Sequence, residues 1–383
     1  MISKKEFQAR LDKVVAEVTK RKLKALIIID SEHRSGGGNV RYLSNFFSPQ
    51  NLGVNTMVIS PEGTTLIVNP GFKGMSVVVA KKVSWIEDIV GTRRRFWGYH
   101  DVAQDIKDVL NKYKITRGRI GADGIALATE PVSNSIRAAL SSFQLVENTG
   151  IVEKVRMVKS PAELKLAREA SRLADVGMTA LLKGVKPGKS LNVSVSEGIH
   201  AATIEGLESG FPYWSSGKPI NWRKTERGSV VYKKGNIFAS EFNSCFEGYF
   251  GQVCRSIVLG KASAKQEYAY EVALEAYRTA LSMIKPGVTG VEIAAAANKV
   301  VARDGNKPAD MKLGHGMGLS MGEGFEFYES NEPDHLVEMV PGFYGALHVN
   351  GPIDEKLVLG NAFVVTKTGC EEVNKIEFRF EVD

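Results

Sequence analysis

Ala180-Leu181-Leu182-Lys183-Gly184-Val185-Lys186-Pro187-Gly188-Lys189-Ser190 is echoed, with one residue of slippage, by Ala280-Leu281-Ser282-Met283-Ile284-Lys285-Pro286-Gly287-Val288-Thr289. In each copy a helical run ends and Lys-Pro-Gly turns the chain, because proline cannot continue a helix and glycine accepts the dihedrals of the turn. A Ser or Thr then stands where it caps the next helix. Two such units predict a duplicated half-domain with pseudo-twofold symmetry. A site in such a domain is expected where the halves meet.

The helices around the echo have readable starts. In Ser160-Pro161-Ala162-Glu163 the serine can accept from the amide at the third helical position, the glutamate can return the bond, and proline at the first position gives up no needed donor. This helix is expected to reach about Lys183. Thr289-Gly290-Val291-Glu292 repeats the pattern before the alanine-rich run Ile293 to Arg303.

Upstream, an amphipathic helix spans Ser3 to Lys22 and a buried strand Ala25 to Ile29, followed by the turn Gly36-Gly37-Gly38. Asn55 to Ser60 and Thr64 to Val68 read as a hairpin across Pro61-Glu62-Gly63. Helical spacing at Asp101 to Tyr113 and Pro131 to Leu140 alternates with strands at Arg119 to Ala122 and Phe143 to Glu147. The expectation is an α/β domain over residues 1–150 and a second domain over 151–383.

Composition bounds the function. A chain of 383 residues, 43% hydrophobic and 24% charged, suits a globular protein with a large core, not a disordered one. The opening helix carries no apolar stretch of the signal-peptide kind, and no run approaches a membrane span. Three cysteines, Cys245, Cys254 and Cys370, match no metal-ligand spacing and point to a reducing cytoplasm. The net charge of +7 is scattered and not gathered into a stripe with aromatics, so nucleic acid is not expected as a partner. The tightest basic cluster, Arg93-Arg94-Arg95 before Phe96 and Trp97, reads either as a solvated loop or as an anion-attracting rim.

Gly235 to Leu259 reads as two strands around Phe246-Glu247-Gly248. With an even-numbered loop centred between Phe246 and Glu247, Glu241 and Gln252 are expected directly opposite one another on one face. A carboxylate beside an amide suits substrate orientation or one metal ion and bridges two ions poorly. Gly314-His315-Gly316-Met317-Gly318 sets a histidine among glycines that would let the backbone turn and a ligand approach. His348, within Gly345-Ala346-Leu347-His348-Val349, reads on its own as a satisfied core histidine.

The order of these pieces resembles the creatinase, prolidase and aminopeptidase P family, which has the pita-bread fold, over nearly the whole chain. The joint Arg156-Met157-Val158-Lys159-Ser160-Pro161-Ala162-Glu163 and the early segment Asn39-Val40-Arg41-Tyr42-Leu43-Ser44-Asn45-Phe46 carry the likeness. The resemblance implies an α+β fold: a creatinase-like α/β amino-terminal domain, then a duplicated pita-bread catalytic domain. It also implies a homodimer whose pocket is completed by the partner's amino-terminal domain, with Arg41 and the Arg93 to Arg95 cluster as candidates. Metal-dependent members hold two ions with two aspartates, a histidine and two glutamates. Matched position by position, these fall on Glu241, Gln252, His315, His348 and Gly360. The substrate-side histidines fall on Asn221 and Gly322.

One carboxylate, one amide, two imidazoles and a glycine are a poor cradle for two cations. Creatinase manages without metal, yet its acid-base histidine corresponds to Asn221 and its nearby catalytic glutamate falls close to Cys254, so creatine itself is not the expected substrate. Three functions follow. The first is a metal-independent hydrolase or related lyase acting on a small polar, anionic, C–N-bonded molecule. His315 or His348 is its general base, Glu241 the orienting carboxylate, and Gln252, Asn221, Arg41 and Arg255 the substrate-binding groups. Cys254 beside Arg255 reads either as an activated thiolate or as an inert buried thiol. The second function is a hydrolase of the Xaa-Pro dipeptidase kind with one Fe, Mn or Zn ion on Glu241, His315 and His348. The third is a pita-bread binding protein without catalysis.

Overall fold

The computed structural model describes residues 2–30, 37–47, 54–69, 74–92, 102–216, 230–309, 312–324, 326–329, 336–352 and 357–382. They form two compact units, Met1–Arg156 and Met157–Asp383.

The first unit contains α1 (Lys4–Lys20), β1 (Ala25–Asp30), α2 (Asn39–Ser44), β2 (Asn55–Ser60), β3 (Gly63–Val68), α3 (Met75–Val83), β4 (Ile89–Gly91), α4 (Val102–Lys112), β5 (Arg119–Asp123), α5 (Glu130–Ala139), β6 (Gln144–Glu147) and α6 (Ile151–Arg156). Its six strands form one mixed sheet in the order β4-β3-β2-β1-β5-β6. β1 is apolar at nearly every position because both faces are covered, and Ala25, Ile27 and Ile29 pack with Ile106, Val109 and Leu110 of α4. α6 belongs to this unit because it packs on α1 and α2, and the Arg156 guanidinium donates to the Gly37 carbonyl at 3.0 Å.

The second unit contains α7 (Pro161–Gly184), α8 (Leu191–Ile204), β7 (Ser209–Ser216), β8 (Ile237–Phe246), β9 (Tyr249–Leu259), α9 (Ala264–Met283), α10 (Gly290–Val301), β10 (Gly314–Gly316), β11 (Glu326–Phe327), β12 (Tyr344–Asn350), β13 (Val358–Val365), β14 (Cys370–Glu372) and β15 (Glu381–Val382). One sheet runs β11-β10-β12-β13-β9-β8-β7, with β14 on β13 and β15 on β9.

The echo in the sequence is an echo in space. Each half is a helix pair followed by antiparallel strands, and the halves join where β9 of the first pairs with β13 of the second. Ser160 and Thr289 both form the reciprocal cap expected of them. Ser190 does not: its side chain makes no cap bond, and its backbone bridges to Val231 instead.

Strand periodicity decides which side chains meet the helices. Phe238, Phe242, Val253 and Ile257 pack against Ala174, Met178 and Leu181 of α7. Leu347, Val349, Phe363 and Val365 pack against α9 and α10 through Val272, Ala276, Ile293 and Ala297. The alternate positions, Glu241, Gln252, Cys254 and His348 among them, therefore face the other side of the sheet.

Candidate functional site

Four strands carry one row of paired residues across this face. Glu241 pairs with Cys254, Cys254 with Gly360, and Gly360 with His348. The hairpin register thus differs from the expected one. β8 and β9 are joined by a two-residue turn, Glu247-Gly248, so Phe246 pairs with Tyr249 and Gln252 stands opposite Asn243. Glu241 and Gln252 still meet, diagonally, with Gln252 Nε2 donating to Glu241 Oε1 at 2.7 Å.

Asn243 completes this end of the site. Its Nδ2 donates to Glu241 Oε1 at 2.9 Å, and its Oδ1 accepts from Gln252 Nε2 at 3.0 Å. Gln252 is 2% exposed, and its Oε1 has no partner among the described residues. With Nε2 held by two acceptors, the amide cannot flip without turning its oxygen onto a carboxylate. Burial raises the Glu241 pKa, while the two amide donors and the more distant Lys312 charge draw it back. Asn243 lies two residues from Glu241 on the same strand, so period-two spacing pointed to it.

The two histidines form the other end. β10 pairs with β12 so that His315 stands opposite Ala346, and the rings of His315 and His348 lie 5.3 Å apart between centroids. His315 is 4% exposed and its Nδ1 lies 3.1 Å from the Gly316 carbonyl oxygen. Carbonyl oxygens only accept, and the ring faces two of them, of Gly316 and Met321, so the proton of the neutral ring sits on a nitrogen that faces a carbonyl. Burial, followed by the Lys312 charge, pushes the His315 pKa down to about 4. Burial, then His315 and Lys312, push His348 well below its usual value. Both rings are neutral at neutral pH. Lys312, ion-paired with Glu326 at 2.5 Å, acts on both ends of the site. The sequence reading missed it, although it lies three residues before His315.

The glycines around His315 serve close approach and not a turn. Gly314 and Gly316 are extended strand residues; a Cβ at Gly316 would lie 1.8 Å from the Glu323 carbonyl oxygen, and one at Gly314 would lie 2.5 Å from that of Ala346. Glu323 fixes this loop from below through a buried ion pair to Lys159 at 2.8 Å.

Several expected roles change. Glu241 makes no hydrogen bond to either histidine among the described residues, and two strands separate it from His348 in the sheet. Its partners are the two amides instead. The single-ion set Glu241, His315 and His348 stands on β8, β10 and β12, with the two rings adjacent and the carboxylate engaged by the two amides. Arg255 is not a substrate ligand. It is 1% exposed, faces away from the row, and spends its donors on protein oxygens. Cys254 is no activated thiolate, because burial and the Glu241 charge raise its pKa well above the ordinary value and outweigh Arg255. Arg41 lies in α2 with its guanidinium 4.4 Å from the Phe47 ring centroid. Asn221 and Arg93 to Arg95 lie outside the described residues.

Residues 165–367 match the Metallopeptidase family M24, and residues 10–158 match the Creatinase/Prolidase N-terminal domain. The chain belongs to metallopeptidase family M24. Among curated relatives, the uncharacterized peptidase YqhT of Bacillus subtilis is 25% identical over 333 residues, 79% of this chain and 89% of its own. The creatinase of a Bacillus species is 24% identical over 368 residues, 89% of this chain and 85% of its own. Among solved structures, the prolidase from Pyrococcus horikoshii superposes with a TM-score of 0.81 at 19% identity, covering 97% of this chain and 99% of the other. These likenesses give the M24 chain the pita-bread fold and place it among hydrolases of the creatinase and prolidase kind.

The metal pair that the family implies does not fit the residues present. The five positions supply a single carboxylate, already accepting from two amides, where bridging and neutralising two cations calls for several. Gly360 offers no donor and has no room for one. A Cβ there would lie 2.3 Å from the Leu347 carbonyl oxygen and 2.9 Å from His348 Cβ. No helix among the described residues is long and apolar enough to cross a membrane.

Proposed function

We propose that this M24 chain hydrolyses a carbon–nitrogen bond of a small polar molecule without the family's metal pair, using a neutral imidazole as the proton acceptor. The observation that carries the reading is the His348–Gly360 pairing, whose close backbone approach excludes a carboxylate at the fifth position and leaves a donor set too poor in charge for two cations. His315 is the base we favour. In the tautomer that donates Nδ1–H to the Gly316 carbonyl, Nε2 would take a proton from the attacking water and later return it to the leaving nitrogen. Its lowered pKa keeps the ring unprotonated at neutral pH and makes it a weaker acceptor than an ordinary imidazole. The nearby Lys312 charge favours an anionic group on the substrate. At the other end, the free acceptor of Gln252 and the carboxylate of Glu241 would take its N–H donors. A homodimer in the cytoplasm, with Arg41 of one subunit serving the other's pocket, is part of the same proposal.

The test is turnover of a panel of small amides, guanidino compounds and Xaa-Pro dipeptides, with elemental analysis of protein purified without added metal. Turnover that survives chelation and disappears in His315→Ala, with the fold intact, is expected. Stoichiometric metal with activity lost on chelation and restored by Mn, Zn or Co would overturn the metal-free reading. Peptide binding with no turnover anywhere in the panel would leave a binding protein.

A further inference from the structure

Arg255 stands behind the row of paired residues, on the helix-covered side of the sheet. Nη1 donates to the Cys254 carbonyl at 2.7 Å, to the Gly360 carbonyl at 2.9 Å and to Asn361 Oδ1 at 3.0 Å. Nε donates to the Glu377 carbonyl at 3.2 Å, and Nη2 donates to that of Ile376. The guanidinium lies 4.1 Å from the Phe378 ring centroid. No carboxylate forms a direct ion pair with it among the described residues; the more distant Asp175 charge, the carbonyl dipoles and the aromatic face offset its burial.

The place it occupies is where the duplicated halves join. The β9–β13 ladder consists of two residue pairs, Gly360 with Cys254 and Asn361 with Val253, against ten in the β8–β9 hairpin and seven between β12 and β13. Arg255 spans that short seam and binds a carbonyl on each side of it. We propose that Arg255 is a positioning residue, a reverse-face clamp that fixes β9 against β13 and so sets the separation of Glu241 from His348. Nη1 alone meets the carbonyls of both strands, while Nε and Nη2 anchor the planar fork on the Glu377 and Ile376 carbonyls. A lysine ammonium has three donors at a point and lacks those second arms, so it cannot be held at the seam in the same way. The consequence for catalysis rests on the function proposed above, whereas the clamp itself is a statement about the seam and can be tested without a substrate.

The Cys254 thiol lies on the seam and reports its opening, and the buried Cys245, opposite Phe250 near the hairpin turn, is an internal control. Native full-length protein is alkylated with iodoacetamide and each cysteine followed by mass spectrometry in the parent, Arg255→Lys and Arg255→Met. The methionine variant is expected to label about tenfold or more faster at Cys254, the lysine variant by a smaller factor, and Cys245 at the parental rate in both. Electrostatics alone would act the other way, because the guanidinium favours the Cys254 thiolate and its loss slows alkylation. Acceleration at both cysteines in parallel would show general destabilisation and overturn the proposal. An unchanged Cys254 rate would do the same. Should Arg255→Met fail to fold, Arg255→Lys carries the test with the same outcomes.

Discussion

His348 stands directly across the β12–β13 ladder from Gly360, and the strands approach so closely there that a Cβ on residue 360 would lie 2.9 Å from His348 Cβ. Restoring a glutamate at 360 is therefore expected to disrupt the seam and not to rebuild a metal site. Gly360→Glu should lose about 2–4 kcal/mol, because its clash with the Leu347 carbonyl can be relieved only by moving a backbone. Urea denaturation measures the loss. A variant as stable as the parent that takes up two equivalents of Mn would show that the donor set, and not the space, had been misjudged.

The buried His315 ring links pH to stability. Its folded pKa is about 4 against an ordinary 6.5, so the unfolded chain binds the proton first as pH falls. The contribution is fully present above about pH 6.5 and is lost between there and about pH 4, on the order of 2–4 kcal/mol. His348 acts in the same direction. Denaturation at pH 7.5 and pH 5 should show a marked fall in the parent and a smaller one in His315→Gln. Equal falls would place the titration elsewhere. If His315 is the base, the acid limb of any turnover should lie near its lowered pKa and not near 6.5.

Lys159 and Glu323 tie the segment before α7 to the loop that follows β10, with side chains 1% and 4% exposed. Removing the lysine takes away the one opposite charge the buried pair sets beside Glu323. Lys159→Met should cost about 3–5 kcal/mol. Adding Glu323→Gln should recover part of that, giving a coupling of about 1–3 kcal/mol in a double-mutant cycle. Additive losses would mean that the two side chains act independently.

What the sequence disclosed and what it hid follow from how local each signal is. The reciprocal caps at Ser160 and Thr289 were legible because donor and acceptor lie three residues apart and depend on little else. The two halves were legible because Lys-Pro-Gly has one physical use at a helix end. The glycines beside His315 were misread because a glycine that turns the chain and one that admits a neighbour look alike in sequence, and only the Glu323 carbonyl 1.8 Å from a Gly316 Cβ distinguishes them. Arg255 was misassigned although alternation places it on the opposite face from Cys254, so strand periodicity already argued against a role in the pocket.

The hairpin register was hidden for a more specific reason, and it yields a last test. Glu247 has φ 49° and Gly248 φ 84°, so both turn residues are left-handed, as in a type I′ turn. Asparagine before glycine announces such a turn, because asparagine tolerates that region; glutamate announces nothing, and the centre was placed one residue too early. The Glu247 side chain is exposed, and the neighbouring Gly248 amide is held by Glu208 Oε2 at 2.9 Å, so the turn is fixed by its surroundings at some cost in local strain. Glu247→Asn should relieve that strain and stabilise the protein by about 0.5–1 kcal/mol, whereas the β-branched Glu247→Val should destabilise it by about 1 kcal/mol or more. Thermal melting of the two variants checks the pair. Equal midpoints would indicate that residue 247 does not occupy the left-handed region, and the Glu241–Cys254 pairing would have to be redrawn with it.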